Sequence, residues 1–162
     1  MKAKRLMALL LCLLTVIGII PAGTALAAGN TVTIESQTNS AFDYLQYYSD
    51  GSWKDLNTPR HWIESTGEIV YCVEHAATNP HGETYTATSP SSVFSSSTLS
   101  GLNSIFMYGY PNNKPAGFTD DEARQATANA VRFWLSEQGE DESYSFTNRR
   151  ANPNSIRAKS GY

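Results

Sequence analysis

The first half of the chain alternates apolar and polar residues with a period of two, which is typical of β-strands that bury one face. Asp50-Gly51 separates two aromatic-rich runs and predicts a hairpin, because both residue types tolerate the positive φ angles of a tight turn. The remaining strands are predicted at residues 31–35, 59–63, 68–75 and 83–88. The first half is therefore expected to form an antiparallel, β-rich sheet or sandwich.

In the second half the apolar positions recur every three or four residues, as they do on one face of an α-helix. The pattern predicts one helix at residues 99–108 and a longer one at 119–138. Thr119 and Glu122 have the spacing of a capping box at the start of the longer helix, and Gly139 is the residue type expected just after its end. The chain is therefore assigned to the α+β class, with two helices packed on the sheet.

Small and apolar residues form a stripe along the longer helix, and this stripe is expected to pack against the sheet. Its members are Ala123, Thr127, Ala130, Val131 and Trp134, with Ala126 and Phe133 widening it. The Ser-rich segment 89–97 has no such pattern and is predicted to be a loop. No element is assigned to the polar residues 140–162.

Residues 1–27 have the organisation of a cleavable secretory signal. Basic residues precede an apolar run from residue 6 to residue 20, and Ala25-Leu26-Ala27 matches an A-x-A cleavage site. The run is shorter than the ~20 residues that a spanning helix needs, so no retained membrane anchor is expected. The mature domain, residues 28–162, is expected to be secreted or displayed at the cell surface.

Cleavage would also change the charge and the cysteine content of the chain. It would remove three basic residues and no acidic ones, so the formal net charge would move from −3 to −6. Such an acidic domain argues against nucleic acids and anionic membrane surfaces as partners. Cleavage would remove Cys12 and leave Cys72 as the one thiol of the exported protein. A single exported cysteine suggests either an intermolecular bond or special chemistry at the sulfur.

The residues around Cys72 leave several kinds of chemistry open. In the middle of a strand, Cys72 would be a small buried hydrophobe in a non-covalent binding module. A histidine that activates the sulfur would instead make a cysteine-dependent hydrolase or transpeptidase. His61 or His81 is the expected partner in that case, because His75, three residues along the same strand, would point to the opposite face.

A metal site is a further alternative in this region. His75 and His81, with Glu74 and Glu83, supply ligand types that metals use, but their spacing matches no recognised ligand pattern. These residues are better interpreted as solvated turn residues, so neither a metal nor another cofactor is expected.

Three segments, taken in order, resemble one known family. They are Tyr71-Cys72-Val73-Glu74 followed by Asn79-Pro80-His81-Gly82-Glu83-Thr84-Tyr85, then Ile105-Phe106-Met107-Tyr108-Gly109-Tyr110-Pro111-Asn112, then Thr127-Ala128-Asn129-Ala130. Together they are similar to the cysteine strand, the Gly-Tyr-Pro helix ending and the Thr-Gln-x-Ala helix motif of the thioester domain. This domain, also called the TQxA domain, occurs in cell-wall-associated surface adhesins of Gram-positive bacteria.

The resemblance implies a specific chemistry for Cys72. In this family the cysteine sulfur is joined to a glutamine side-chain carbonyl as an internal thioester. A lysine amine of a host extracellular protein then attacks that carbonyl and becomes attached through an amide. The implied activity is single-turnover covalent host adhesion rather than catalysis.

Two departures from the family pattern bear on this chemistry. Ala128 stands where the helix motif has glutamine, and Gln125, one turn earlier, is the candidate substitute. The family's bond-forming glutamine lies in a later motif between apolar residues. After Cys72 this chain has only Gln125 and Gln138, and Gln138 lies between Glu137 and Gly139. The resemblance therefore implies a thioester domain that is incomplete at its C-terminus and unable to close the bond as written.

Overall fold

The structure is a computed structural model that describes residues 29–37, 45–56, 59–73, 79–140 and 149–151. The predicted signal, Cys12, Glu74 and His75 lie outside these ranges. No helix within the described ranges is both long enough and apolar enough to cross a membrane.

Two antiparallel sheets and two helices make up the described part of the chain. The elements are β1 (Thr31–Gln37), β2 (Leu45–Ser49), β3 (Ser52–Leu56), β4 (Arg60–Ile63), β5 (Ile69–Val70), β6 (Glu83–Thr86), α1 (Ser96–Tyr108), α2 (Asp120–Glu137) and β7 (Arg149–Ala151). One sheet has the strand order β5-β4-β1-β6 and the other has the order β3-β2-β7. A β-rich first half followed by two helices confirms the predicted α+β class.

The hairpin between β2 and β3 forms where the sequence predicts it. Asp50 and Gly51 both have positive φ angles, 52° and 76°, and Ser49 pairs with Ser52 across the turn. Two consecutive positive φ angles give a two-residue turn whose twist matches that of the flanking strands. The polar C-terminal region, in contrast, contributes β7, which pairs with β2 and which no sequence pattern indicated.

Helix α1 begins three residues before its predicted start, inside the segment that was expected to be a loop. The Ser95 side chain accepts a hydrogen bond from the N–H of Thr98 at 3.1 Å and so caps the helix. A short 3₁₀ turn, Pro90–Ser92, precedes it. The loop prediction for residues 89–97 was therefore wrong for the last two residues, which are helical, because a serine-rich segment can supply a helix cap as well as a linker.

Helix α2 has the predicted ends, and Ala123, Thr127 and Val131 of the predicted stripe are buried, but its buried face is wider than the stripe and extends to a different side. Thr119 and Glu122 form the capping box, and Gly139 has a φ of 72° just after the helix. Ala126 and Phe133 are exposed, so the predicted widening of the stripe was wrong. The buried positions include charged and polar residues: Glu122, Ala123, Arg124, Gln125, Thr127, Ala128, Val131, Arg132 and Leu135. Apolar periodicity cannot indicate polar residues that are buried by neighbouring elements.

The Trp134 side chain was expected to pack on the sheet, but it packs on α1 instead. Its indole Nε1 donates a hydrogen bond to the carbonyl oxygen of Thr98 at 2.9 Å. The ring lies so close to Gly101 that a Cβ added there would be 2.1 Å from Trp134 Cε2. A glycine at position 101 therefore allows the two helices to approach closely.

Two apolar clusters lie on opposite sides of the short strand β5. The helix cluster consists of Tyr71, Phe94, Leu102, Phe106, Ala128, Val131 and Leu135, with Ile69 and Val73 packed against it. The sheet cluster consists of Val32, Ile34, Ile63 and Val70. Ile69, Tyr71 and Val73 thus share one side and Val70 takes the other, as the alternation predicted. This segment joins the helices to the sheet.

The buried His61 predicts a dependence of stability on pH. Its Nδ1 lies 2.6 Å from Ser36 Oγ, and burial, followed by the charges of Arg132 and Arg124, lowers the pKa of His61 from 6.5 to about 4. The unfolded chain therefore binds a proton on His61 at a pH where the folded chain does not. Between pH 6.5 and about 4 the free energy of unfolding should fall as the pH falls, by about 3 kcal/mol at most.

Urea denaturation at a series of pH values tests this expectation. The variant His61→Asn lacks the titrating group, so its stability should depend less steeply on pH in that interval. Equal pH dependence in the two proteins would exclude His61 as the cause.

Candidate functional site

Cys72 lies two residues beyond the end of β5 and is half-buried. The prediction of a mid-strand position was therefore wrong. In β5, Val70 pairs with His61, and continuing this register would bring Cys72 opposite Pro59. Proline has no N–H to donate, so the strand pairing cannot extend that far. The carbonyl oxygen of Pro59 instead accepts a hydrogen bond from Arg124 Nη1 at 3.1 Å.

Tyr71, the neighbour of Cys72, anchors this segment to the helices. Its ring stacks on Phe106 with the ring centroids 5.7 Å apart. Its hydroxyl donates a hydrogen bond to the carbonyl oxygen of Tyr110 at 2.6 Å. Burial raises the pKa of Tyr71 well above its ordinary value, so the hydroxyl keeps its proton and remains a donor.

The Thr127 side chain, which lies on α2, also contacts the backbone of Tyr110. Thr127 Oγ1 accepts a hydrogen bond from the N–H of Tyr110 at 2.9 Å and donates one to the carbonyl oxygen of Ala123, also at 2.9 Å. A Cβ added to Gly109 would lie 2.7 Å from Thr127 Oγ1 and 2.6 Å from the Ile105 carbonyl oxygen. Only glycine lets the backbone approach α2 this closely.

The three family-like segments therefore meet at one backbone unit, the peptide groups of Tyr110. Its carbonyl is held by Tyr71 and its N–H by Thr127. Ala128 is buried in the helix cluster together with Tyr71, whereas Ala130 is only half-buried. Sequence reasoning named Thr127 but missed the role of Tyr71. The available signal was an aromatic residue with a polar tip directly beside the lone thiol.

The two glutamines that follow Cys72 in sequence lie at different levels of α2. Gln125 is two residues from Thr127, is 2% exposed, and its Nε2 lies 3.4 Å from Asn129 Oδ1. Gln138 is the C-cap residue, eleven positions beyond Thr127, which corresponds to about 16 Å along a helix axis. Of the two, Gln125 is the one at the level of the Thr127 contacts.

The candidate histidine partners of Cys72 are both engaged by residues of β1. His61 Nδ1 contacts Ser36, and His81 Nδ1 lies 3.0 Å from Glu35 Oε2. Among the residues with described positions, no three His, Cys, Asp or Glu side chains converge as a metal site would require.

Replacing Thr127 with valine should lower the free energy of unfolding by about 1–3 kcal/mol. Valine keeps the shape of the side chain but leaves the N–H of Tyr110 without the acceptor that Thr127 Oγ1 provides. The variant Thr127→Ser keeps the hydroxyl and serves as the control. Urea denaturation of both variants measures the difference, and a Thr127→Val variant that is as stable as the unaltered protein would contradict the role given to the hydroxyl.

These features define an α+β domain in which a half-buried cysteine follows an edge strand, and the tyrosine before it packs in the helix cluster and contacts the turn that a threonine of α2 also holds. The thioester domain family model matches residues 69–160, which is more than half of the chain. The chain therefore belongs to the thioester domain family, as the resemblance of its three segments implied. No curated protein and no solved structure matches it. Thioester domains are covalent binding modules, typically extracellular or surface-bound, rather than enzymes with turnover.

Proposed function

We propose that this chain is the thioester domain of an exported adhesin and that Cys72 occupies the position of the thioester sulfur. The observation that carries the proposal is the convergence of Thr127 and Tyr71, the residue before Cys72, on Tyr110 within the range that matches the family. The partner is an extracellular host protein that presents a lysine amine. Residues 1–27 supply export and residues 28–162 form the mature domain.

The proposed reaction needs a sulfur that is shielded from water but accessible to the attacking amine. To form the bond, the thiolate attacks the side-chain carbonyl of a glutamine, and the amide nitrogen leaves as ammonia. A lysine amine then attacks the thioester carbonyl, an amide forms, and the sulfur leaves as a thiol. Because water could also attack the thioester, the bond must be shielded until the amine is positioned. The half-buried position of Cys72 beside the helix cluster is consistent with this requirement.

We further propose that the chain as written does not close the thioester. Ala128 brings an apolar side chain into the helix cluster at the position where the family motif has glutamine. Gln138 lies about 16 Å along the helix from Thr127. Gln125 is the remaining candidate, and it is buried within α2 next to Asn129.

Intact mass spectrometry of the mature protein tests both parts of the proposal. Thioester formation releases ammonia and lowers the mass by about 17 Da, and methylamine opens the bond as an N-methylamide, which adds about 31 Da and leaves the protein about 14 Da heavier than the unreacted chain. We expect full mass for the chain as written, with a Cys72 thiol that alkylating reagents modify. A deficit that methylamine removes, and that Gln125→Ala abolishes, would show that Gln125 closes the bond and would refute the claim of inactivity.

A longer protein that continues past Tyr162 with a glutamine between apolar residues provides the positive control. It is expected to show the mass deficit, and Cys72→Ala should remove it. Full mass in the longer protein, together with turnover of an ester or peptide that depends on Cys72, would refute the adhesin assignment and favour a hydrolase. Full mass with no Cys72-dependent reaction would favour a non-covalent binding module.

A further inference from the structure

The hairpin formed by β2 and β3 carries an aromatic pair on one of its faces. Tyr48 pairs with Trp53 across the two strands, and their ring centroids lie 5.4 Å apart with the ring planes inclined at 62°. The two residues are 47% and 36% exposed, although tryptophan is highly buried on average. The inclined rings therefore present an angled apolar surface to the solvent.

A polar pair of residues adjoins the aromatic pair on the same face of the hairpin. Gln46 pairs with Asp55, and each lies two residues from its aromatic neighbour along the strand, so the two pairs are about 7 Å apart. Gln46 Nε2 donates a hydrogen bond to Asp55 Oδ1 at 2.8 Å. Gln46 is only 7% exposed, whereas Asp55 is exposed. A carboxylate held in place by a buried amide thus stands beside the two rings.

The two pairs together favour an uncharged ligand that carries hydroxyl groups. An ionised carboxylate only accepts hydrogen bonds, so a ligand that contacts Asp55 must supply donors. Proline-rich peptides also bind aromatic surfaces, but proline has no N–H to donate. A cationic ligand would supply donors, but the strand register places a basic residue, Arg150 of β7, opposite Gln46, so the formal charges of this row cancel. A pyranose sugar combines an apolar C–H face with uncharged hydroxyl donors.

We propose that this face of the hairpin binds a neutral oligosaccharide built of pyranose units whose hydroxyl groups are equatorial. Such a ring presents only C–H groups on its faces, and these carry partial positive charge that matches the negative face of an aromatic ring. The sugar ring packs on Trp53 and against Tyr48. Its hydroxyl groups donate hydrogen bonds to Asp55, and bonds to a charged acceptor are stronger than bonds between neutral groups. The site gives the domain a non-covalent contact with glycans that does not involve Cys72.

Titration of cellotriose into the ¹⁵N-labelled protein tests the proposal. Cellotriose is a neutral trisaccharide with equatorial hydroxyl groups, and sorbitol, which has hydroxyl groups but no ring, is the matched control ligand. We expect the indole N–H signal of Trp53 to shift saturably with cellotriose and not with sorbitol. The indole signal of Trp134, which is hydrogen-bonded to the carbonyl oxygen of Thr98, should not move. A Trp53 signal that does not respond to cellotriose, or responds equally to sorbitol, would overturn the proposal.

Three variants, followed by the backbone amide of Tyr48, locate the site. Trp53→Ala should weaken cellotriose binding by about tenfold, the value of a good aromatic contact. Asp55→Asn keeps the shape but removes the charge, and should weaken binding by about fivefold. Phe133→Ala removes a 44% exposed aromatic residue of α2 and should leave binding unchanged.

Equal weakening by Phe133→Ala and Trp53→Ala would mean non-specific association and would contradict the assignment. A stronger response of the Trp53 signal to acetyl-hexaproline-amide than to cellotriose would assign the face to a peptide instead. If Trp53→Ala disturbs the hairpin, the isosteric Asp55→Asn and the two ligands on the unaltered protein decide the question. Because the titration needs no thioester, its failure is distinguishable from a failure of the mass measurements.

Discussion

Replacing Phe106 with alanine is expected to lower the free energy of unfolding by about 3–5 kcal/mol, the usual cost of truncating a buried aromatic residue. Phe106 is 3% exposed and belongs to the helix cluster. It also stacks on Tyr71, so the truncation removes an aromatic pair as well as buried area. Its neighbour Met107 is 59% exposed, and Met107→Ala is the matched control with an expected cost below about 0.5 kcal/mol.

The same substitution should change the reactivity of the thiol. Tyr71 loses one of its two anchors when Phe106 is truncated, and Tyr71 is adjacent to Cys72 in the chain. We therefore expect Phe106→Ala to speed the alkylation of Cys72 by iodoacetamide under conditions in which the protein remains folded, and Met107→Ala to leave the rate unchanged. A destabilised variant with an unchanged alkylation rate would mean that the shelter of Cys72 does not depend on this stack.

Replacing Trp134 with alanine is expected to cost about 3 kcal/mol, the lower end for large aromatic residues because this side chain is only partly buried. The truncation removes the ring that covers Gly101 and leaves the carbonyl oxygen of the buried Thr98 without the indole donor. Urea denaturation of the purified variant measures the loss.

Two variants separate the contributions of Trp134. Trp134→Phe keeps most of the apolar area and loses the N–H, so it should cost about 1 kcal/mol. Phe133→Ala changes a residue that is 44% exposed on the same helix and should cost less than Trp134→Ala. If Phe133→Ala proved the more damaging of the two, the assignment of Trp134 to the interface between α1 and α2 would be wrong.

Within the helix motif at Thr127–Ala130, the contact made by Thr127 does not depend on the residue at position 128. Thr127 provides the hydroxyl that holds the Tyr110 turn, and this contact is present even though the next residue is Ala128. Ala128 faces the apolar helix cluster, so its small side chain is compatible with packing while adding no polar group near Tyr71. The proposal that Ala128 replaces the glutamine of the family motif is therefore compatible with the packing of α2. This is the physical basis for expecting a folded but unreactive chain.

Local sequence determined the features whose causes lie within a few residues. Asp50-Gly51 set the hairpin because both residues accept positive φ angles, and Thr119 with Glu122 set the start of α2 by satisfying its first N–H groups. Alternation in the segment from Ile69 to Val73 determined which side chains face the helices. The family-like segments were also local, and the match to residues 69–160 confirms the family.

Tertiary structure decided the features whose causes lie far away along the chain. β7 forms because β2 offers it a partner, since three residues of Arg-Arg-Ala have no pattern of their own. Arg124, Gln125 and Arg132 are buried because other elements cover α2, which no apolar periodicity can record. Pro59, thirteen residues before Cys72, ends the ladder that would otherwise have continued to the thiol. The meeting of Tyr71 and Thr127 at Tyr110 likewise depends on how the helices pack, because these residues are far apart in sequence.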